Sequence, residues 1–382
     1  MSLKLLHFGD LHLDGAFERL SPEKAAARRK ATRALLDQIA ALAREEKVDL
    51  VFCAGDLFDG PTPYYDTIEA AASAFASLAI PVFIAPGNHD WFDDHSPYAA
   101  IAWSDNVHIF QGLTPTPVEL PHLNCRVYGV GYTERRPPIT RMLTDFQAPE
   151  DGIINLFLAH GEVGNTGEYL VFGQEEIEKA NLAYLALGHI HRHCQTQVGQ
   201  TLVVQSGSVE GHGFDEPGEK GVVIAEISKE GATATLVPLP GSRCVPVSLD
   251  VTPFMEMPDP EKAIAEEAAK IAEKVCPAER AFLRLDLLGT GEINENKIKE
   301  NLRQFLALRL TSDVRPPVSP FDKAGDDSLT GLFVRTMKEK YDAASEEEKE
   351  KILLALSFGL AAIENREDII SFRGYQPEGK PI

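Results

Sequence analysis

Five short polar motifs, each placed directly after an apolar run, constrain the fold of this 382-residue chain more than any other feature. Short apolar runs bounded by glycine and polar residues are typical of buried strands. In α/β sheets, ligands collect beyond the carboxyl ends of the strands, so five such ends can converge on one cleft. The pattern therefore predicts an α/β fold with a functional site at the strand ends. The motifs are Gly9-Asp10-Leu11-His12, Gly55-Asp56, Gly87-Asn88-His89-Asp90, Ala159-His160-Gly161 and Gly188-His189-Ile190-His191.

The side chains in these motifs are of the types that hold two divalent cations. Carboxylate, imidazole and amide oxygen ligands together suit Mn, Fe or Zn. A carboxylate such as Asp56 can bridge two ions, and such a pair orients phosphate oxygens and stabilises an in-line transition state. Any one motif alone is more typical of a turn, since Gly and Asn favour turns, but five motifs in this order favour a metal site. The candidate ligands are Asp10, His12, Asp56, Asn88, His160, His189 and His191.

The order of strand-like and helix-like segments predicts the domain organisation. Alternating strands and helices, followed by many short strands, predict a layered α/β (α+β) domain of two packed sheets over residues 1–241. A break rich in proline and glycine precedes a βαβαβ pattern over residues 242–315, which we interpret as a capping domain. Residues 316–382 combine a linker with two amphipathic helices, predicted at 328–341 and 346–365.

Composition narrows the functional class. The formal net charge of −21 argues against a protein that holds nucleic acid by bulk charge, because such domains usually carry a basic patch. The five cysteines are scattered and form no CxxC pair, so neither a disulfide framework nor a zinc ribbon is expected. No apolar stretch approaches the ~20 residues that span a bilayer. We therefore expect a cytoplasmic protein without a membrane segment.

The motif series resembles that of the calcineurin-like metallophosphoesterase superfamily. Within it, the chain is more similar to the bacterial SbcD and YhaO-type DNA repair exonucleases, relatives of the Mre nuclease. The closer similarity depends on the segments 55–59, 188–192, 205–208, 213–216 and 220–221. The resemblance covers residues 1 to about 238, and beyond them it is one of architecture only. It implies a four-layer core in which helices flank two packed mixed sheets.

The resemblance also implies roles for individual residues. One ion would be held by Asp10, His12, Asp56 and His191, and the other by Asp56, Asn88, His160 and His189. His89 would not bind metal but would protonate the leaving oxygen, and Asp90 would accept a hydrogen bond from His89 and orient its ring. Manganese is the metal that the family favours, with Fe, Zn or Mg as alternatives.

Two further residues near the motifs are candidate substrate contacts. Arg192 follows the last metal motif directly and suits a phosphate group. Asp59 stands where some relatives carry a second catalytic histidine, and its role is left open between substrate contact and loop residue.

The implied function is that of a metal-dependent DNA exonuclease, with endonuclease activity left open, in the processing of DNA double-strand breaks and ends. The same metals would also serve a phosphatase or cyclic-nucleotide phosphodiesterase, and a non-catalytic scaffold subunit is a third alternative. The implied partners are DNA, an SMC-like (SbcC-type) ATPase that the two C-terminal helices would contact, and a second copy of the chain. A homodimer could use exposed aromatic side chains such as Trp91, Phe92 or Tyr98.

Overall fold

The computed structural model describes residues 2–18, 20–138, 141–315 and 321–363. Most of the predicted linker, residues 316–320, and the last two residues of the final predicted helix, 364–365, lie outside this set. Within the described ranges, no helix is both long enough and apolar enough to cross a bilayer.

Strands alternate with α-helices over residues 3–84 and 243–315, whereas residues 82–172 and 184–250 contain successive strands without an intervening α-helix. The helices are α1 Pro22–Glu45, α2 Tyr65–Ala76, α3 Gln174–Lys179, α4 Pro260–Glu273, α5 Glu295–Asn301, α6 Leu329–Asp342 and α7 Glu346–Ile363. The strands are β1 Leu3–Phe8, β2 Leu50–Cys53, β3 Val82–Ile84, β4 Val107–Ile109, β5 Thr116–Leu120, β6 Cys125–Gly129, β7 Ile154–His160, β8 Glu162–Val163, β9 Val171–Phe172, β10 Tyr184–Gly188, β11 Cys194–Val198, β12 Thr201–Gln205, β13 Gly221–Ser228, β14 Gly231–Pro238, β15 Arg243–Asp250, β16 Ala281–Thr290 and β17 Ala307–Arg315.

Two six-stranded mixed sheets form the larger part of the fold. The first has the strand order β14-β13-β1-β2-β3-β4, in which β1 to β4 are parallel and β13 and β14 are antiparallel additions at one side. The second has the order β11-β12-β10-β7-β6-β5, with β12, β10, β7 and β6 parallel and an antiparallel strand at each edge. The parallel strands of each sheet therefore end at a common edge.

Side chains that alternate between the two faces of each strand form separate apolar cores on the two faces of each sheet. Leu6 and Phe8 of β1 pack with the apolar faces of α1 and α2. Leu5, one position away, belongs to a second core shared with Leu156 and Tyr184 of the other sheet. A third core covers the outer face of the second sheet together with Ile177 of α3. Because successive side chains of a strand point to opposite faces, each sheet is buried on both sides, and the predicted four-layer α/β fold is confirmed.

The first helix begins where the sequence provides a cap. Ser21 has an extended backbone, and its side chain accepts a hydrogen bond from the Lys24 N–H, while Pro22 occupies the first turn. A serine cap followed by proline is a favourable helix start. The serine oxygen accepts a hydrogen bond from one otherwise unpaired backbone N–H, and proline has no backbone N–H that would need a partner.

A three-stranded sheet of order β15-β16-β17 follows, with α4 and α5 between its strands along the chain. This is the element order of the predicted βαβαβ segment. The side chains of Ile264, Ala268, Leu283, Leu285 and Ile298 are buried within it.

The chain divides into two compact units. The first contains Met1–Leu249, Glu256–Leu287 and Asn294–Ser312, and so includes both large sheets and most of the three-stranded sheet. The second contains Asp250–Met255, Leu288–Ile293 and the described residues from Asp313 onward, including α6 and α7. In the second unit the ring of Phe333 on α6 packs against Gly359 of α7.

Candidate metal centre

Five strand ends from the two large sheets bring the seven candidate ligands to one edge of the fold. β1, β2 and β3 lead to Asp10, His12, Asp56 and Asn88, while β7 ends at His160 and β10 leads to His189 and His191. Four of these residues have left-handed backbones, with φ of 52° at Asp10, 48° at His12, 49° at Asp56 and 86° at His189. Such conformations are costly for residues other than glycine, and they cluster at functional sites.

One group of side chains forms around Asp10. The Nε2 atom of His191 lies 3.5 Å from Asp10 Oδ1, and the rings of His12 and His191 lie 5.2 Å apart. Asp10, His12 and His191 offer ligand atoms that all lie within 4.8 Å of one another. They can therefore share one cation.

A second group forms around Asp56, whose carboxylate lies between two imidazoles. Asp56 Oδ2 is 3.7 Å from His12 Nε2 and 3.3 Å from His160 Nε2. The same His160 nitrogen lies 3.0 Å from Asn88 Oδ1, and the His189 ring is 5.1 Å from that of His160. Asp56 thus holds the position between the two groups that a bridging carboxylate needs.

In three of the histidines, the ring nitrogen that faces away from the cluster, Nδ1, lies within hydrogen-bond distance of an acceptor oxygen. The Nδ1 atom of His12 lies 2.9 Å from the Asp59 carboxylate, that of His191 lies 2.8 Å from Glu216, and that of His160 lies 2.8 Å from the carbonyl of Ala54. Each ring therefore carries its proton on Nδ1 and turns Nε2 to the cluster. Metal-binding histidines are oriented in this way in proteins.

Charge coupling dominates the electrostatics of the cluster. Burial alone would lower the pKa of His160 and His191. Asp56 nevertheless raises the pKa of His160 to about 9, and Asp10 with Glu216 raises that of His191 to about 10. Burial would raise the pKa of Asp56, but the His160 imidazole holds it well below its ordinary value. The cluster therefore attracts positive charge.

These residues fit a pair of divalent cations. The Nε2 atom of His12 is buried and has no hydrogen-bond partner among the described residues, although it points toward Asp56. A buried polar atom without a partner is costly and calls for an explanation, and a cation bound between imidazole and carboxylate provides one. When bound, two such ions supply Lewis-acid activation and charge neutralisation for the hydrolysis of a phosphate ester.

His89 lies beside this cluster, but its ring is oriented differently from the expectation. Its Nδ1 atom is 3.1 Å from the backbone carbonyl of Asp59, and its ring is 4.9 Å from that of His12. The predicted hydrogen bond from His89 to Asp90 was wrong. Asp90 is fully buried beneath the loop, and its carboxylate accepts hydrogen bonds from the N–H of Gly87 and Phe58.

Asp90 therefore acts on the loop rather than on the His89 ring. The hydroxyl of Tyr98 also donates to its carboxylate, at 2.6 Å, and burial raises the pKa of Asp90. Tyr98 is itself buried, which corrects the expectation that it is exposed and available to a second copy of the chain. Trp91 and Phe92 are partly buried.

The remaining predicted residues and one that the sequence did not indicate occupy the rim. Arg192 is exposed next to His191. Asp59 contacts His12 rather than standing free in its loop. Glu216, which was not a candidate, binds His191 and also accepts a hydrogen bond from the buried ammonium of Lys220, at 3.3 Å.

Two glycines allow the strand ends to approach one another. A Cβ atom on Gly87 would lie 2.2 Å from Asp56 Oδ1, and one on Gly188 would lie 2.0 Å from the carbonyl oxygen of Ala54. Gly188 belongs to the second large sheet and Ala54 follows a strand of the first. The two sheets therefore meet in backbone contact at the candidate metal centre.

A cavity of about 480 Å³ opens beside the cluster. His12, His89 and His191 line it together with residues that include Phe17, Phe214, Phe282 of β16 and Ala307 of β17. Its volume is in the range of small-molecule sites. The three-stranded sheet thus contributes directly to the surroundings of the candidate metal centre.

A sandwich of two mixed sheets, with imidazoles and carboxylates gathered at the strand ends, defines the class of two-metal phosphoesterases. Residues 3–193 match the model of the calcineurin-like phosphoesterase family, and the chain belongs to that family. The predicted superfamily is therefore confirmed. The protein is a metallophosphoesterase-type hydrolase, and its family implies a dinuclear site for divalent metals.

Individual proteins show the same relationship. The chain is 26% identical over 301 residues to the uncharacterized metallophosphoesterase YhaO of Bacillus subtilis, covering 76% of this chain and 72% of YhaO. It is 26% identical over 281 residues to the SbcD component of the nuclease SbcCD of the same organism, covering 61% of this chain and 68% of SbcD. The expected similarity to SbcD and YhaO-type proteins is thus confirmed. Among solved structures, a dimetal phosphatase from Danio rerio matches with a TM-score of 0.40 and 13% identity, over 61% of this chain and 98% of that one.

Proposed function

We propose that this protein is a metal-dependent DNA nuclease that hydrolyses phosphodiester bonds with two metal ions. It would act as an exonuclease, with endonuclease activity left open, in the processing of DNA double-strand breaks and ends. The observation that carries the proposal is the shared cavity, because Phe282 and Ala307 of the three-stranded sheet line it together with His12, His89 and His191.

A second structural element beside the metals suits a polymer. A polynucleotide extends beyond the bond that is cut, so its enzyme needs a groove with walls on more than one element. The segment 242–315 would serve as the capping domain that provides such a wall. The similarity to the SbcD component of a nuclease supports the same substrate class.

The chain's own residues have separate tasks in this reaction. Asp10, His12, Asp56 and His191 would hold one ion, and Asp56, Asn88, His160 and His189 the other, with Mn as the preferred metal and Fe, Zn or Mg as alternatives. Arg192, at the rim, would contact a substrate phosphate.

His89 would protonate the leaving oxygen of the cleaved ester. Its Nδ1–H points to the Asp59 carbonyl, which leaves Nε2 on the opposite side of the ring. His89 lines the cavity, and general acid catalysis requires a ring held in a fixed orientation.

The direct test is hydrolysis of end-labelled single-stranded and duplex DNA with Mn²⁺, comparing the wild type with His89→Ala and Asp56→Ala. We expect the wild type to shorten DNA from its ends and both variants to be inactive while they remain folded. If DNA is untouched but a small phosphodiester is cleaved, the protein is a phosphatase or cyclic-nucleotide phosphodiesterase instead. If the chain binds no divalent metal, the non-catalytic scaffold subunit is the better description.

The C-terminal helices are the proposed contact for an SMC-like, SbcC-type ATPase. On α6 the side chains of Leu329 and Leu332 are 70% and 56% exposed. Apolar side chains exposed together mark interaction surfaces more often than isolated ones. Replacing both by glutamate should abolish co-purification with the ATPase of the same organism, whereas Val275→Glu, an exposed apolar position on another segment, should leave it intact. Retention of the ATPase by the double variant would exclude this surface.

A further inference from the structure

The cavity beside the metal centre is lined by two chemically different groups of residues. One group consists of the histidines of the cluster. The other, which we call the aromatic wall, consists of Phe17, Phe214 and Phe282. These residues come from the loop after β1, the loop before β13 and strand β16. Three segments distant in sequence thus place aromatic rings in the cavity beside the candidate metal centre.

The aromatic wall is held firmly from behind. The rings of Phe214 and Phe282 meet edge to face with centroids 5.7 Å apart. The Arg28 guanidinium lies 5.1 Å from the Phe17 centroid and 5.8 Å from that of Phe282. Arg28 is itself buried and paired with Glu210. Cation–π contacts of this kind stabilise the positions of the rings, and the Arg309 guanidinium makes a further one at 4.7 Å from the Phe214 centroid.

Phe17 has an unfavourable backbone conformation. Its φ of 47° lies in the left-handed region, which is costly for a bulky residue. Observed strain of this kind supports a hypothesis of function, and the ring of Phe17 borders the cavity. The strain is consistent with a ring that is positioned for contact with a ligand rather than for packing alone.

The charges around the cavity indicate which part of a ligand this wall accepts. Among the described residues that line the cavity, none is lysine or arginine, and Glu18 is one of them. A planar uncharged group can therefore contact the partly buried rings of Phe17 and Phe214, while Phe282, which is 4% exposed, supports them from within the core. Nucleic-acid proteins without sequence preference use aromatic side chains on which bases stack.

We propose that the aromatic wall is a nucleobase subsite, which binds the base of the nucleotide whose phosphate ester lies at the metal centre. The inference deepens the proposed function and rests on it for the polymer to which the base belongs. The site would accept any base, because every base has a flat face, and it would confer a preference for nucleotides over phosphate esters of small aliphatic alcohols.

A binding measurement tests the subsite without requiring turnover. The full-length protein is titrated with the fluorescent mononucleotide 2-aminopurine deoxyribonucleoside 5′-monophosphate, whose emission is quenched on stacking. We expect Phe17→Ala to weaken binding about tenfold or more, Phe17→Trp to preserve it, and deoxyribose 5-phosphate to compete poorly. Tyr65→Ala, an aromatic position that is 58% exposed outside the cavity, is the matched control and should bind as the wild type does.

Phe214→Ala provides a second variant if Phe17→Ala does not fold, as judged by its melting curve. Equal affinity of the folded alanine variants and the wild type, or equal competition by deoxyribose 5-phosphate, would overturn the subsite. So would a lack of binding by the wild type.

A DNA substrate separates the failure of the subsite from the failure of the proposed function. Oligonucleotides with a normal end or an abasic end are compared with Mn²⁺. Slower cleavage of the abasic end, with the difference lost in Phe17→Ala, supports both proposals. Equal cleavage of both ends overturns the subsite and leaves the nuclease intact. Binding of the mononucleotide without any cleavage of DNA supports the subsite and rejects the nuclease.

Discussion

Replacing Glu216 by alanine should weaken metal binding although Glu216 is not among the proposed ligands. Its carboxylate accepts a hydrogen bond from His191 Nδ1 at 2.8 Å, and this contact turns the Nε2 atom of His191 toward Asp10. Without it the His191 ring is free to rotate away from the cluster. Asp59 holds His12 in the same way, at 2.9 Å, and provides a matched comparison.

The expected magnitudes differ because the two carboxylates differ in burial and contacts. Partners that orient metal-binding histidines typically contribute 10- to 100-fold in affinity, about 1.4 to 2.7 kcal/mol. The side chain of Glu216 is 20% exposed and also accepts from Lys220, whereas that of Asp59 is 37% exposed. We therefore expect a loss near the upper limit, about 100-fold, for Glu216→Ala, and near tenfold for Asp59→Ala.

Calorimetric titration of the metal-free protein with Mn²⁺ measures both losses directly. Glu216→Gln retains an acceptor for His191 and should recover most of the affinity, which separates orientation of the ring from charge. Melting curves recorded in a chelator show whether the variants fold. Wild-type affinity in folded Glu216→Ala, or a larger loss in Asp59→Ala, would refute the reasoning.

Three further outcomes are expected. His89→Asn should lower the rate of hydrolysis of the dinucleotide thymidylyl-(3′→5′)-thymidine, whose alkoxide leaving group needs a proton, by ~10²–10⁴-fold with unchanged affinity for Mn²⁺; an unchanged rate would assign leaving-group protonation to another residue. Burial lowers the pKa of His7 from 6.5 to about 3, so protonation of the unfolded chain should remove about 2 kcal/mol of stability as the pH falls from 6.5 to about 5. His7→Phe should therefore lose less of its melting temperature on acidification, and equal losses would contradict this. Arg28→Met leaves the Glu210 carboxylate buried without its partner and should cost about 3–5 kcal/mol; pairing it with Glu210→Leu should restore most of the melting temperature, and no recovery would show that the ion pair is not the cause.

The sequence predicted the parts of the fold that depend on local patterns. The strands β1, β2, β7 and β10 are short apolar runs followed by glycine or by a polar motif. The apolar run and the motif after it can both be recognised in a single sequence. Because parallel strands end at a common edge, the convergence of the motifs followed from strand order alone. The structure brings all seven candidate ligands to that edge, and their binding of metal remains a prediction.

The strands that were not predicted lie mainly at the edges of sheets. β5 and β11 have mostly exposed side chains, and the sequence of β11, Cys194-Gln195-Thr196-Gln197-Val198, has no apolar alternation. Their place is fixed by backbone pairing with β6 and β12 rather than by side-chain burial. The short helix α3 was also missed, since six mostly polar residues give no clear helical period.

The outer contacts of the candidate site could not be predicted because they join residues that are distant in sequence. Glu216 lies 25 positions from His191, and only the folded loop shows that they meet. Asp90 lies next to His89, which suggested a pair, but a side chain and its neighbour need not face one another. In the folded loop the Asp90 carboxylate instead accepts a hydrogen bond from the backbone N–H of Gly87, three residues earlier.

The close contact at Gly188 has a consequence for how this protein can be adapted to another metal. Because the backbone of one sheet touches that of the other at this point, the ligands from the first sheet cannot move closer to those from the second. Selection for a larger or smaller cation cannot adjust the distance between the two sheets by small changes of side-chain size, because glycine has no side chain at this contact. Natural or laboratory evolution of metal preference should therefore proceed by replacing ligands or their hydrogen-bond partners, with Gly188 retained.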